Sequence, residues 1–295
     1  MNTVRLNNEY LSVSVNNLGA ELQSLTDKNG LEYIWQGDPK YWKRRSPILF
    51  PHVGVLKDGI AIHRDGKTYS SDIHGFAKDM EFTVDNCQDN HVEFLLESND
   101  TTLSSYPYPF RFIVGFMLVE KALRVFMEAK NTGTSTMPFG MGGHPGFRCP
   151  LKNNLRFSDY SVIFEKEENQ SCPYFIDRIY QVDKNRIILN NSRVLSLNYD
   201  DYKDNLLLFE DLQSSSLELR GPEDRPGLYF RWNGFRYLGI WTPPDLNAPL
   251  VSLEPWTSLP ARSNEDSLFD NKHGILFVEP GESYKAWYEI EPISE

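Results

Sequence analysis

The sequence predicts an all-β protein: one large antiparallel β-sandwich formed as a single domain over residues 1–295. Three observations predict it. Apolar residues alternate with polar ones in many short segments, the period of a half-buried strand. No segment sustains helical periodicity with caps at its ends. Gly and Pro are spread evenly, with no Ser/Gly-rich linker to split the chain and no repeat of fixed period. Strands of period two in such number favour packed antiparallel sheets over a parallel α/β fold. With 295 residues, 40 % of them hydrophobic, a sizeable core is available.

The elements follow in order. In "LSVSV" (11–15), Leu11, Val13 and Val15 share one face. "HVEFLLES" (91–98), "FRFIVGFMLVE" (110–120) and "ALRVFMEAKNTG" (122–133) are strands, and the short "EKAL" link joins the last two as a hairpin. "SVIFEKE", "RIILN", "NLLLFED", "SLELR", "LYFRW" and "YLGIWT" continue the pattern. "ILFVEPGESYKAWYEIEPI" (275–293) gives two final strands around a "PGES" turn. A sandwich of this kind can leave one sheet face open as a polar cleft.

Charge and cysteine usage narrow the class. Thirty Lys and Arg against 41 Asp and Glu give a formal net charge of −11. That disfavours nucleic acid and anionic membranes as general partners, while leaving room for a local basic pocket. The polar start "MNTVRLNNEYLSVSV" has no apolar signal-peptide core, and no apolar run reaches the length of a membrane span. Three unclustered cysteines, Cys87, Cys149 and Cys172, suggest free thiols in a reducing compartment, so a cytoplasmic location is expected. CxxC, HExxH, P-loop and GxSxG motifs are absent, so neither structural zinc nor a cofactor is signalled.

Four stretches could carry chemistry. "SDIHGFAKD" (71–79) presents His74 between Asp72 and Lys78, and alone it reads equally as a surface turn. "GMGGHPGF" (140–147) crowds His144 with glycines, which calls for a positive φ or a close approach of something to the backbone. "LVSLEPWTSLP" (250–260) sets Glu254 at the end of an apolar strand beside Trp256. A carboxylate there is well placed for a raised pKa. The indole suits either stacking on a sugar's C–H face or packing in the core. In "DPKYWKRRSPILFPHVG" (38–54), Arg44 and Arg45 are adjacent on an extended segment, so at most one faces a given pocket.

Taken together, "HGF" (74–76), "GGHPGF" (142–147) and "SLEPW" (252–256) resemble the aldose 1-epimerase (galactose mutarotase) family, and in detail its LacX-like branch. The similarity runs in order along most of the chain, including "WQGDPKYWKRRSPILFP". The resemblance implies a β-sandwich of the galactose mutarotase type, the supersandwich, and an isomerase of the EC 5.1.3 class. Such an enzyme interconverts α and β anomers of an aldose without cofactor or metal. It removes the C1 hydroxyl proton, protonates the ring oxygen O5, and reverses both steps after rotation. By the family pattern Glu254 matches the base and His144 the acid. His74 matches the second histidine, which holds the ring oxygen or a hydroxyl. Arg44 or Arg45 matches the substrate-binding arginine, and Arg45 is preferred for its nearness to "PILFP".

Two departures accompany the resemblance. The family's hydroxyl-binding aspartate has only Asp245, in "WTPPDLNAPL", as a nearby candidate. The hexose-6-phosphate branch reads "HGFAR" where this chain has Lys78 in "HGFAKD". Lysine binds phosphate as a point charge without a bidentate fork, so a neutral aldose is favoured over a phosphosugar. The alternatives are a hexose-6-phosphate 1-epimerase, a non-catalytic carbohydrate-binding or sensor protein, and an unrelated lectin-like sandwich. A homodimer through a sheet edge is compatible with the pattern but not demanded by it.

Overall fold

The computed structural model describes residues 2–204, 206–222 and 226–294. Among them strands dominate, and the one α-helix is a single turn, Asp100–Leu103, capped by Asn99. A nine-stranded sheet runs in the order Ile179–Ser196, Ser161–Ile176, Ser216–Arg220, Gly227–Asn233, Ser283–Ile293, Ala122–Asn131, Phe110–Val119, His91–Glu97 and Thr83–Gln88. A six-stranded sheet aligns Leu206–Phe209, Tyr237–Trp241, Leu250–Trp256, Gly142–Gly143 and Ile48–Leu49, with Gly146–Arg148 also paired to Leu250–Trp256. Thr3–Asn7, Leu11–Asn16 and Glu21–Asp27 form a third sheet. The ladders of all three are antiparallel. The fold class read from period-two alternation is therefore the observed one.

Alternation also explains how the sheets pack. Leu207, Phe209, Leu238, Ile240, Val251 and Leu253 point from one face of the six-stranded sheet. They join Phe112, Val125, Phe230, Tyr288 and Ile290 of the nine-stranded sheet in one apolar cluster. The intervening residues Leu206, Leu208, Tyr237 and Trp256 emerge on the opposite face, as the period of two requires. There they form a second cluster with Leu49, Val53, Phe175, Tyr180 and Leu259. This outer face carries the cleft described below.

Most expected strands lie where the alternation placed them, Leu11–Asn16, His91–Glu97 and the Phe110–Val119/Ala122–Asn131 hairpin among them. In "NLLLFED" the strand is Leu206–Phe209, and Asn205 lies outside the described residues. Two readings change. "SVIFEKE" and "RIILN" belong to one long hairpin, Ser161–Ile176 with Ile179–Ser196. The polar run between them hid it, and register shifts break its ladder after Ile163, Glu168, Gln170 and Pro173. The strands flanking "PGES" do not pair with each other: Leu276–Val278 joins Met137–Phe139, whereas Ser283–Ile293 enters the nine-stranded sheet.

The tip of the long hairpin is a two-residue turn. Asp177 (φ 51°) and Arg178 (φ 66°) are both left-handed, as tight hairpin turns demand. Backbone bonds dock this tip onto the rim of the six-stranded sheet. Tyr180 N–H donates to Ala261 O (3.0 Å), and Ser263 N–H donates to Tyr180 O (2.8 Å). No helix among the described residues is long and apolar enough to cross a membrane.

Candidate active site

The strand Leu250–Trp256 is buried at every position. Alternation sends Val251 and Leu253 into the inter-sheet core and Ser252, Glu254 and Trp256 to the outer face. Opposite Glu254 across the ladder stands Gly239, whose missing side chain makes room for the Trp256 indole, since a Cβ there would meet Trp256 at 3.0 Å, and opposite Ser252 stands Trp241. A cleft of about 310 Å³ opens here. Its walls include Trp42, Arg44, His74, Lys78, His144, Arg178, Trp241, Glu254 and Trp256.

The glycines around His144 answer a need for close approach, since none of them has positive φ. A Cβ on Gly142 would meet Trp256 Cδ1 at 2.6 Å and the Pro255 carbonyl oxygen at 2.8 Å. One on Gly146 would meet Trp42 at 2.8 Å. Small residues thus let the loop lie against Leu250–Trp256 and slot Trp42 against the histidine. The Trp42 and His144 rings stack, with centroids 4.8 Å apart, and Trp241 closes edge-on at 5.3 Å.

His144 Nε2 lies 3.2 Å from Glu254 Oε2, although 110 residues separate them (254 − 144). Burial drives both groups toward their neutral forms. It pushes His144 down to about 3, with Arg44 adding to the fall, and pushes Glu254 well above the ordinary carboxylate range. Ser252 pulls Glu254 the other way, because its hydroxyl donates to the carboxylate and lowers its pKa, by less than burial raises it. Its hydroxyl lies 3.1 Å from Glu254 Oε1 and 3.3 Å from the Trp241 carbonyl oxygen, and it has only one hydrogen to give.

His74 is held differently. It has φ 68° and precedes Gly75 at φ 69°, two left-handed residues in succession. A non-glycine in this region costs on the order of 1–3 kcal/mol, and the surroundings must hold it. They do: His74 N–H donates to Gly54 O (2.8 Å), and Gly54 N–H donates to His74 Nδ1 (3.0 Å). With Nδ1 accepting, the neutral ring carries its proton on Nε2, and burial keeps it neutral by lowering its pKa well below the usual value. The ring sits edge-on to His144 at 5.6 Å.

The structure thus brings His74, His144, Glu254, Trp256, Lys78 and Arg44 into one cleft. Arg44 is ion-paired with Asp79 and donates to the Lys78 carbonyl oxygen (3.2 Å). Lys78 is buried; its ammonium donates to the Gly75 carbonyl and lies 2.9 Å from Asp79. Arg45, the arginine preferred from the sequence, is not in the cleft wall. Its backbone N–H bonds Glu21 and its guanidinium donates to Gln23 O (2.9 Å), so it turns away from the cleft while its neighbour faces in. Asp245 is also not in the wall: it is exposed on a turn at φ 61°, and Pro244 beside it lines the cleft instead.

Trp42, Ser252, Trp241 and Arg178 were missed. Counting by two from Glu254 would have reached Ser252. Nothing local marks Arg178, since its place depends on the docked hairpin tip. Among the described residues no three His, Cys, Asp or Glu side chains converge to hold a metal ion.

Comparison with known proteins fits this architecture. The chain matches the aldose 1-epimerase family over residues 2–291. It is 34 % identical to the chromosomal protein LacX of Lactococcus lactis subsp. lactis, over 98 % of each chain. Among solved structures it resembles a galactose mutarotase related enzyme from Lactobacillus acidophilus, with TM-score 0.94 and 28 % identity over 99 % of this chain and 98 % of that one. A galactose mutarotase-like protein from Lactobacillus casei ATCC 334 gives TM-score 0.92 and 28 % identity over 99 % and 100 %. The chain belongs to the aldose 1-epimerase family.

Proposed function

We propose that this protein is an aldose 1-epimerase that interconverts the α and β anomers of a sugar. The observation that carries the reading is the His144–Glu254 pair, 3.2 Å apart inside the cleft. O1 and O5 of a pyranose are bonded to the same carbon. Two groups side by side at hydrogen-bond distance can each reach one of them. The volume, about 310 Å³, lies at the small end of ligand sites, roughly 300–1,000 Å³, which suits a monosaccharide.

In this reading burial favours the uncharged pair, in which Glu254 carries the proton that the reaction moves. Passing it from Glu254 to His144 creates a carboxylate base and an imidazolium acid together. Glu254 then takes the proton of O1–H as His144 gives its own to O5, and the C1–O5 bond opens to the aldehyde. After rotation about C1–C2, the same two transfers run backwards and close the ring on the other face. His74, neutral with Nε2–H exposed to the cleft, donates to the ring oxygen or a neighbouring hydroxyl and orients the ring. Trp256 and Trp42 offer apolar surface for its C–H faces. Positioned acid–base groups of this kind contribute about 10²–10⁴-fold each.

Polarimetry tests the reading, starting from fresh α-D-galactose, α-D-glucose and α-D-glucose 6-phosphate. Acceleration of any of the three over buffer supports an epimerase. Saturable sugar binding with no acceleration would instead make the cleft a carbohydrate sensor.

A further inference from the structure

The cleft is richer in cations than its own acids neutralise, on a chain whose net charge is −11. Arg44 and Lys78 stand on one wall and share a single carboxylate, Asp79. Arg178 lines the same cleft from the hairpin tip. It is exposed, and it makes no hydrogen bond or ion pair with any described residue. Its positive charge reaches into the cleft and helps depress His74.

The turn that carries it is not permissive. Both of its residues are left-handed, and glycine or asparagine is the favoured choice at the second position. An arginine there costs on the order of 1–2 kcal/mol in backbone energy and returns no hydrogen bond or ion pair to the described residues. Its location is nevertheless well defined. The tip is bonded to Ala261 and Ser263, next to the cleft residue Pro260. Tyr180, two residues on, donates to Glu210 (2.6 Å) and packs in the apolar cluster that contains Trp256.

We propose that Arg178 binds an anionic substituent on the sugar, so that the substrate is an acidic aldose, phosphorylated or carrying a carboxylate away from C1. This rests on the anomer-exchange reading above and deepens it. The guanidinium offers a planar fork that matches phosphate or carboxylate oxygens. Unlike Arg44 and Lys78, it has no internal partner to release first. The lysine in "HGFAKD", which on its own favoured a neutral sugar, is thereby supplemented by a cation from a distant part of the chain.

The test compares a free hexose, its 6-phosphate and its 6-carboxylate (the hexuronate) by NMR anomer exchange. The wild type is set beside Arg178→Asn and Arg178→Lys. Asparagine tolerates positive φ, so the first variant removes the charge and keeps the turn. The proposal expects one acidic sugar to have a KM about tenfold or more below that of the free hexose, a preference weakened by salt. Arg178→Asn should lower the ratio of kcat/KM for acidic over neutral sugar about tenfold, and Arg178→Lys should restore part of it. Which acidic sugar responds tells phosphate from carboxylate. Equal kinetics on all three sugars, or an equal loss on neutral and acidic sugars in Arg178→Asn, overturns the proposal. If the wild type accelerates none of them, the anomer reading fails separately. Calorimetric binding then decides the anion site: tighter binding of the acidic sugar, lost in Arg178→Asn, supports it, and no difference overturns it.

Discussion

In the proposed reaction His144 and Glu254 exchange a proton, and where it rests determines how activity responds to pH. A glutamate base and histidine acid with ordinary pKa values would lose activity on the acid side as the carboxylate protonates. It would lose activity on the alkaline side as the imidazolium deprotonates. Burial reverses those assignments, because it lowers His144 to about 3 and raises Glu254. The acid limb of kcat/KM then reports a second proton entering the pair at His144, and the alkaline limb reports loss of the single proton from Glu254. Both limbs belong to the coupled pair. A profile of kcat/KM against pH should therefore show no acid-side inflection near about 4.5, where an ordinary glutamate titrates. An inflection there, abolished in Glu254→Gln, would mean that Glu254 is ionised in the resting enzyme. At this scale the sequence showed His74, His144 and Glu254, because short polar islands in apolar or glycine-rich text stand out. It did not show the direction of Arg45, since side-chain direction depends on a strand phase that two adjacent arginines leave open.

Strand phase also decides what the cleft can hold. Leu250–Trp256 is buried on both faces, so Glu254 sits mid-strand rather than at a solvent-facing end. Gly142 pairs with Trp256 and has no room for a side chain. Gly142→Ala should cost roughly 1–3 kcal/mol, as overpacking does, because the Pro255 carbonyl beside it cannot swing away. A urea melt would show this as a lower midpoint with an unchanged slope, and an unshifted midpoint would show that the strand yields. The Phe110–Val119/Ala122–Asn131 hairpin was legible because its apolar alternation is uninterrupted. The Ser161–Ile176/Ile179–Ser196 hairpin was not. Its outer half pairs with itself apart from the bridge at Tyr180, has a broken register and carries polar residues, so neither periodicity nor turn chemistry marked it. Arg178 went unseen with it.

Across the whole molecule, buried histidines tie stability to pH. Burial lowers His52 to about 3 and His63 to about 4, and both protonate near 6.5 once the chain unfolds. Their contribution is complete above about 6.5 and is lost as pH falls toward the folded values, at about 1.4 kcal/mol per pH unit for each. Glu254 opposes them. Its raised pKa contributes stability that is present below about 4.5 and lost as pH rises through the folded value. Melting temperature should fall as pH drops from 7 to about 5, and His63→Phe, placed among Tyr69, Tyr106, Tyr108 and Phe269, should flatten that fall. An unchanged slope in the variant would show that His63 does not contribute. The sandwich itself was readable because alternation and punctuation are local signals. The assembly of one cleft from residues between 42 and 260 was readable only through the resemblance of three short motifs. In the proposed function Glu254 and His144 exchange protons with one sugar ring. Magnetisation-transfer NMR on the anomeric protons, comparing the wild type with Glu254→Gln under saturating sugar, tests it most directly. Exchange in Glu254→Gln should be slower by about 10²-fold or more, with sugar binding retained. Wild-type exchange in Glu254→Gln would contradict it.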